Sequence, residues 1–228
     1  MKITSLLATL LLAAAIHVSA ERGPSDDPGA SLTQFFGSNN TFSADCDLTV
    51  TNADNTQAVA GTMKYAMAGD KVRTEVDMAK MKNSQMPPDA IGSLEKMGMA
   101  RAVSITRPDQ KLVYLIYPDL KSYAKMPAPP QIKPTNQTAQ VVLTKLGEET
   151  IGGHPCVKNN ATVTGNDGQT HQATLWNATD LKNFPIQVQS SEQGMTVTML
   201  FRNINLARPD ATLFDPPAGF TAYDDFSR

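Results

Sequence analysis

Side chains able to do acid–base, nucleophilic or metal chemistry are few in this chain and poorly spaced for it. Of the three histidines, His17 lies in an apolar N-terminal run, His154 sits in a turn beside Pro155, and His171 opens a strand-like segment. No His-x-x-x-His pair, Cys-x-x-Cys pair, Gly-x-Ser-x-Gly turn or phosphate-cradling glycine loop occurs. A zinc site or a serine or cysteine hydrolase needs ligands, or a nucleophile and its base, that this sequence does not supply. The carboxylates are scattered. A net charge of −2 with both signs interspersed leaves no basic footprint for nucleic acid. The expectation is a protein that is not an enzyme, with no cofactor, no metal and no nucleic-acid partner.

Sulfur offers two further chemistries. Met63, Met67, Met78, Met81, Met86, Met97 and Met99 crowd the first half of the chain, and thioethers can hold copper(I). Such copper sites concentrate methionine with histidine over a short span, which is not seen here. Methionine is also the flexible filler of adaptable apolar surfaces. Cys46 and Cys156 are the only cysteines. Cys46 shares strand parity with Phe42, Leu48 and Val50, whereas Cys156 shares parity with Lys158 and Asn160, so regular strands put the thiols on opposite sides of a sheet. Separate thiols, or a disulfide made possible by a bulge, are both open on the sequence.

The elements that must position these groups are mostly strands. Before the turn pair Gly69-Asp70, Val59, Met63, Tyr65 and Met67 share one parity; after it, Val72, Val76 and Met78 do. Lys71, Arg73, Glu75 and Asp77 occupy the other parity, giving a hairpin with one wet side and one apolar side. Phe42 to Val50 alternates in the same way. After Pro87-Pro88, the spacing of Ile91, Leu94, Met97 and Met99 predicts a short amphipathic helix over Asp89–Met99, laid across the apolar side of the sheet. Val103–Thr106, Lys111–Tyr117 and Leu120–Met126 are strands joined by turns at Pro108-Asp109 and Pro118-Asp119. The run LVYLIY is apolar on both parities and marks a strand covered on both faces. The segment Pro127–Thr135, with Pro127, Pro129, Pro130 and Pro134, is a loop. Thr138–Leu146 suits a helix or a strand. Gly152-Gly153, Asn166-Asp167-Gly168 and Gly194 punctuate further hairpins, and Met199 lies in the last of them. Together these make about ten strands, mostly antiparallel: a mainly β (α+β) chain with a large, curved sheet or partial barrel.

The N-terminus carries the most specific local signal. Lys2, the apolar run Leu6–Ile16 and the small residues of Val18-Ser19-Ala20 predict a signal peptide, 1–20, removed after Ala20. The run is too short to cross a bilayer core of about 30 Å, and no further transmembrane segment is expected. No cysteine lies near the cleavage point, which closes the lipoprotein route. Residues 21–37 are expected to be a loose arm whose Leu32, Phe35 and Phe36 dock on the sheet, and 38–228 a single domain.

The segments MAGDKVRTEVDM, YPDLKSYAKMP, LGEETIGGHPCVKNNATV, LWNATDLKNFPIQVQ and DATLFDPPAGF resemble a family of exported bacterial proteins of unknown function. The fold of that family is similar to the lipoprotein-carrier superfamily of LolA, LolB and the sensor RseB. The likeness runs from Thr41 to Phe220. Its most specific pieces are Gly69-Asp70-Lys71-Val72-Arg73 and Gly147-Glu148-Glu149 through Gly153, Pro155, Cys156 and Lys158. It implies an unclosed half barrel of about 10–11 strands with a short helical lid, in a periplasmic or secreted protein.

Combining the methionine-lined hairpin with that resemblance, the expected function is non-catalytic binding of a hydrophobic ligand between sheet and lid. The ligand would be an acyl chain, a lipid or a lipidated polypeptide. The candidate cavity wall is Met63, Tyr65, Met67, Val76, Met78, Ile91, Leu94, Met97, Tyr114, Ile116 and Met199. The competing expectation is an envelope protein-interaction or sensor module with a closed core, contacting a protein partner.

Overall fold

Strict alternation over Thr41–Thr51, with every second side chain buried, makes this segment the strand around which the sheet is built. The computed structural model describes residues 35–83, 86–128, 141–164, 170–192 and 194–223. The expected signal peptide 1–20, most of the arm 21–37, most of the Pro127–Thr135 loop and the Asn166-Asp167-Gly168 turn lie outside the described residues.

The strands in chain order are β1 (Thr41–Thr51), β2 (Gln57–Ala68), β3 (Lys71–Asp77), β4 (Lys82–Asn83), β5 (Arg101–Arg107), β6 (Leu112–Tyr117), β7 (Ser122–Pro127), β8 (Val141–Ile151), β9 (His154–Thr164), β10 (Thr170–Ala178), β11 (Phe184–Glu192), β12 (Met195–Asn205) and β13 (Thr221–Tyr223); the helix α1 spans Pro88–Lys96. They form one 13-stranded sheet in the order β13-β7-β6-β5-β3-β2-β1-β12-β11-β10-β9-β8, with β4 added beside β2. All pairings are antiparallel except β13 on β7. The sheet does not close: β13 and β8 are its edges, so the architecture is an open half barrel. The strand count exceeds the expected 10–11 because β4 and β13, two and three residues long, are too short to alternate. Of the ambiguous stretch Thr138–Leu146, the described part, from Val141, is strand, the first half of β8.

Two runs of consecutive hairpins meet at the β1–β12 pairing. Gly69, with φ +68°, makes the β2–β3 turn and sets Met67 opposite Val72 and Tyr65 opposite Thr74. The turns Pro108–Gln110 and Pro118–Leu120 are single 3-10 turns, each closed by a lysine in left-handed conformation, Lys111 and Lys121.

Strand register divides the buried side chains between two faces. The inner face carries the largest cluster, which includes Phe36, Phe42, Tyr65, Met67, Phe184 and Phe201. The outer face carries two smaller clusters. One gathers Ala66, Val103, Ile105, Tyr114 and Ile116 under Phe214 of the C-terminal tail; the other gathers Cys156, Trp176, Ala178 and Ile186.

The helix forms where the apolar spacing places it. Gly98, with φ +70°, stops it: the Gly98 N–H donates to the Glu95 carbonyl and the Met99 N–H to the Leu94 carbonyl. Its packing partner is the 3-10 turn Met78–Lys80, and Ile91, Leu94 and Met97 join none of the three clusters.

The disulfide alternative is corrected: Cys46 and Cys156 are both free and buried. Cys46 belongs to the inner cluster and Cys156 to an outer one. Strands β12, β11 and β10 stand between β1 and β9, a separation of about 19 Å at about 4.8 Å per strand. A bridge needs Cα atoms within about 7 Å. Burial pushes both thiols up from the usual cysteine range.

Candidate functional site

The inner face has two unlike halves. Across β1, β2, β11 and β12 it is filled by the chain's own rings. Phe36, Phe42, Tyr65, Phe184 and Phe201 stack or meet edge-on at centroid distances between 4.8 and 6.1 Å. Phe42, Phe184 and Phe201 are each 0% exposed. Burial pushes the Tyr65 phenol well above the usual tyrosine range. Among the described residues, rings in mutual contact occupy this half.

The other half is the floor formed by β3, β5, β6 and β7. Register defines it row by row. Tyr65 faces Thr74, which faces Ser104, then Leu115, then Ala124. The next row runs Met67, Val72, Thr106, Val113 and Met126; on the other side of the Thr74 row, Val76 faces Ala102 and Tyr117 faces Ser122. The twelve floor positions of these four strands carry no charged side chain. Small residues sit at the middle of the floor, and Thr74, Ser104, Val113, Leu115, Ser122 and Ala124 are all buried. Val113, Leu115 and Ala124 belong to none of the three clusters. The hydroxyls of Thr74 and Ser122 find no hydrogen-bond partner among the described residues. Desolvation raises the Tyr117 phenol.

The outer face is polar between its two clusters. Asp47 accepts from Arg202 and from the Thr62 hydroxyl, both at 2.6 Å, and Asp45 accepts from Asn203 at 2.7 Å. A depression of about 340 Å³ lies here, lined by Asp45, Lys64, Arg73 and Glu75 among others. A second, of about 490 Å³, lies by Glu148, Glu149, Pro155, Cys156 and Thr179. Glu149 accepts from Lys158 at 2.8 Å and from the Trp176 indole at 3.1 Å, and these bonds hold its carboxyl below the usual range. Cys156 donates to the main-chain oxygen of His154 at 3.3 Å, while the His154 ring faces Asp180 at 2.8 Å. The ring is thus engaged away from the sulfur, and no cysteine–histidine pair forms. Among the described residues no group of three or more His, Cys, Asp or Glu gathers to hold a metal. No described helix is long and apolar enough to cross a membrane.

The expected wall residues do not come together on one surface. Met63, Tyr65, Met67 and Met199 are in the filled aromatic half. Val76 is half-buried at its border, and Met78 is half-buried in the 3-10 turn after β3. Ile91 and Leu94 are half-buried and Met97 is 52% exposed. Tyr114 and Ile116 project to the outer face, under Phe214, because β6 is apolar on both parities and its register turns their neighbours Val113 and Leu115 inward. Sequence reasoning missed Thr74, Ser104, Ser122 and Ala124. Thr74 shares the parity of Val72 and Val76, so it was within reach.

A family model, Domain of unknown function (DUF4412), matches residues 47–184. The chain belongs to this family. No curated protein matches it. Among solved structures, the chain is similar to the lipoprotein LppX of Mycobacterium tuberculosis, at 9% identity over 79% of this chain and 97% of that one, with a TM-score of 0.44. A LolA superfamily protein from Nitrosomonas europaea aligns at 11% identity over 78% of this chain and 90% of that one, TM-score 0.35. The MucA/MucB complex of Pseudomonas aeruginosa aligns at 12% identity over 83% of this chain and 61% of that one, TM-score 0.37.

Proposed function

We propose that this DUF4412 protein is exported and binds an apolar ligand, an acyl chain or the acyl part of a lipidated polypeptide, on the inner floor of β3, β5, β6 and β7, without catalysing a reaction. One observation carries the reading: a charge-free surface of small and aliphatic side chains lies beside a half of the same face that is filled by rings. A half barrel that needed only a core would fill both halves in the same way. The middle of the floor is buried, so a ligand binds molecules in which it is open, which lowers apparent affinity by the fraction of open molecules. The N-terminal apolar run and Val18-Ser19-Ala20 support export.

The test is native mass spectrometry with lipid extraction, on protein purified from its own envelope, together with uptake of a neutral, environment-sensitive apolar dye. A co-purifying lipid, or dye uptake lost on Ala124→Phe, is expected. Absence of both lipid and dye uptake overturns the reading.

A partner protein is the second reading, and one observation favours it. Strand β8 is a sheet edge eleven residues long, with Val142, Leu143 and Leu146 51%, 50% and 57% exposed. Such an edge can accept a strand from another chain. The opposite edge is blunted by the three-residue β13. Envelope crosslinking that loses a defined adduct in Leu143→Lys would support this reading; an unchanged pattern would remove it.

A further inference from the structure

The inner floor supports a statement about ligand class, which rests on the ligand-binding reading above. We infer that the floor selects a neutral ester lipid over a free fatty acid.

Two independent features lead there. The first is charge. None of the floor positions on β3, β5, β6 and β7 presents a lysine, arginine or histidine; the cations of these strands, Lys71, Arg73, Arg101, Arg107 and Lys125, all have outer-face parity. A fatty-acid carboxylate drawn onto this surface would lose its hydration with no counter-charge on the floor, a cost of several kcal/mol in a low-dielectric site. A neutral ester carries no such cost.

The second feature is the pair of hydroxyls. Thr74 is 4% exposed and Ser122 2% exposed, and neither side-chain oxygen has a hydrogen-bond partner among the described residues. A buried hydroxyl left unpaired is destabilising, so both positions hold a donor ready for an acceptor that the described protein does not provide. A carbonyl oxygen accepts and does not donate, which matches a hydroxyl whose proton is free to point at it. Strands β5 and β6 separate β3 from β7, and Ser122 lies one inward-facing position away from Ala124 in the Thr74 row. At about 4.8 Å between strands the two hydroxyls are on the order of 15 Å apart along the sheet. One carbonyl cannot meet both. The ester carbonyls of one glyceride sit on neighbouring glycerol carbons and cannot span that distance, so each bound ester meets one hydroxyl at a time.

Substitution gives a signature that ordinary packing would not. Thr74→Val keeps the shape and removes an unpaired hydroxyl, and Ser122→Ala does the same. The free protein should therefore melt about 2–4 °C higher for each variant, while affinity for methyl oleate falls on the order of 5-fold. Thr74→Ser, which retains the hydroxyl, should keep the affinity.

The experiment measures binding of dioleoylglycerol, methyl oleate and oleate to the full purified chain at pH 7.5, with oleate repeated at pH 4, where its carboxyl is largely protonated. Expected are binding of both neutral esters at pH 7.5 and oleate binding that appears only at acid pH. Oleate bound at pH 7.5 as tightly as methyl oleate overturns the inference and leaves apolar-ligand binding intact. Failure of all three probes, with no dye uptake, overturns the underlying reading as well. A fall in the melting temperature of Thr74→Val, with Thr74→Ser unaffected, would assign the hydroxyl a structural partner and also overturn the inference.

Discussion

Arg107→Gln should destabilise the fold by about 3 kcal/mol at neutral pH, and most of that loss should come from the C-terminal tail. The Arg107 side chain is 9% exposed. It holds Asp109 through two bonds of 2.9 Å, donates to the Phe214 carbonyl at 2.9 Å, and pairs with Asp215. Asp109 and Asp215 are 41% and 56% exposed, so water replaces much of what those pairs supply and each contributes under about 1 kcal/mol. The bond to the Phe214 carbonyl is buried and charge-assisted, worth about 1.5–3 kcal/mol, and it fixes the ring that covers the outer cluster. A loss of about 3 kcal/mol in a chain of this size lowers the melting temperature by about 6–12 °C. The effect has a defined pH dependence. The hydrogen bonds from Arg107, with further help from Lys71, hold the Asp109 carboxyl well below the usual carboxylate range. A depressed carboxylate stabilises the native state fully above its unfolded pKa of about 3.9, and that contribution is lost progressively as pH falls from there through the lower folded-state value. The gap between wild type and Arg107→Gln should hold from pH 7 to about pH 5 and narrow towards pH 2. Thermal and urea denaturation over that range measures it. A variant that melts within about 2 °C of wild type at pH 7, or a gap that stays constant into acid, would refute the reasoning.

Three further outcomes test the fold. Gly98→Ala should cost about 1–2 kcal/mol in urea denaturation, because φ +70° disfavours any Cβ and the new carbon would lie 2.9 Å from the Leu120 side chain. Leu120→Ala in the same chain should recover the steric part only. Phe42→Ala should cost about 3–5 kcal/mol, since the ring is fully buried among four others, whereas Leu146→Ala, at 57% exposure, should change stability by less than about 0.5 kcal/mol. The unfolded chain should titrate two thiols whether or not it has first been reduced, while both thiols of the native protein react slowly; loss of both thiol equivalents without reduction would restore the disulfide.

Alternation made the fold legible where only one parity was apolar. Phe42, Cys46, Leu48 and Val50 were readable as the buried side of β1, and Gly69-Asp70 as a tight turn, because each local pattern allows one answer. The parity of Cys46 and Cys156 already pointed to opposite faces, which the three intervening strands make final. The LVYLIY strand defeated the same logic. With both parities apolar, only the register across Pro108–Gln110 decides that Val113 and Leu115 face inward and Tyr114 and Ile116 outward. Helical spacing located α1 but not its packing, since a nine-residue amphipathic stretch says what kind of surface it needs and not which surface that is. Thr74, Ser104 and Ser122 are small and hydroxylated, so a pattern of large apolar residues does not mark them.

The same four strands are treated differently on their two faces, and this asymmetry ties the stability of the fold to the candidate site. Outward, β5 and β6 present Val103, Ile105, Tyr114 and Ile116, capped by Phe214 and bordered by Phe220 and Tyr123. Arg107 and Asp215 lock that cap, and β13 continues it by pairing with β7. Inward, these strands present threonine, serine, alanine and aliphatic side chains, with Tyr117 their one ring. Protein interiors are packed to near-crystalline density, so rings on one side and hydroxyls on the other make the outer cluster the part that holds β5–β7 in shape. The inner side is then free to be specified by something other than the strands' own packing. Loosening the outer cap in Arg107→Gln should therefore lower stability with little change in the order of preference among bound lipids. Thr74→Val should raise stability and alter that preference. A site that owed its form to general core packing would couple the two in the same direction.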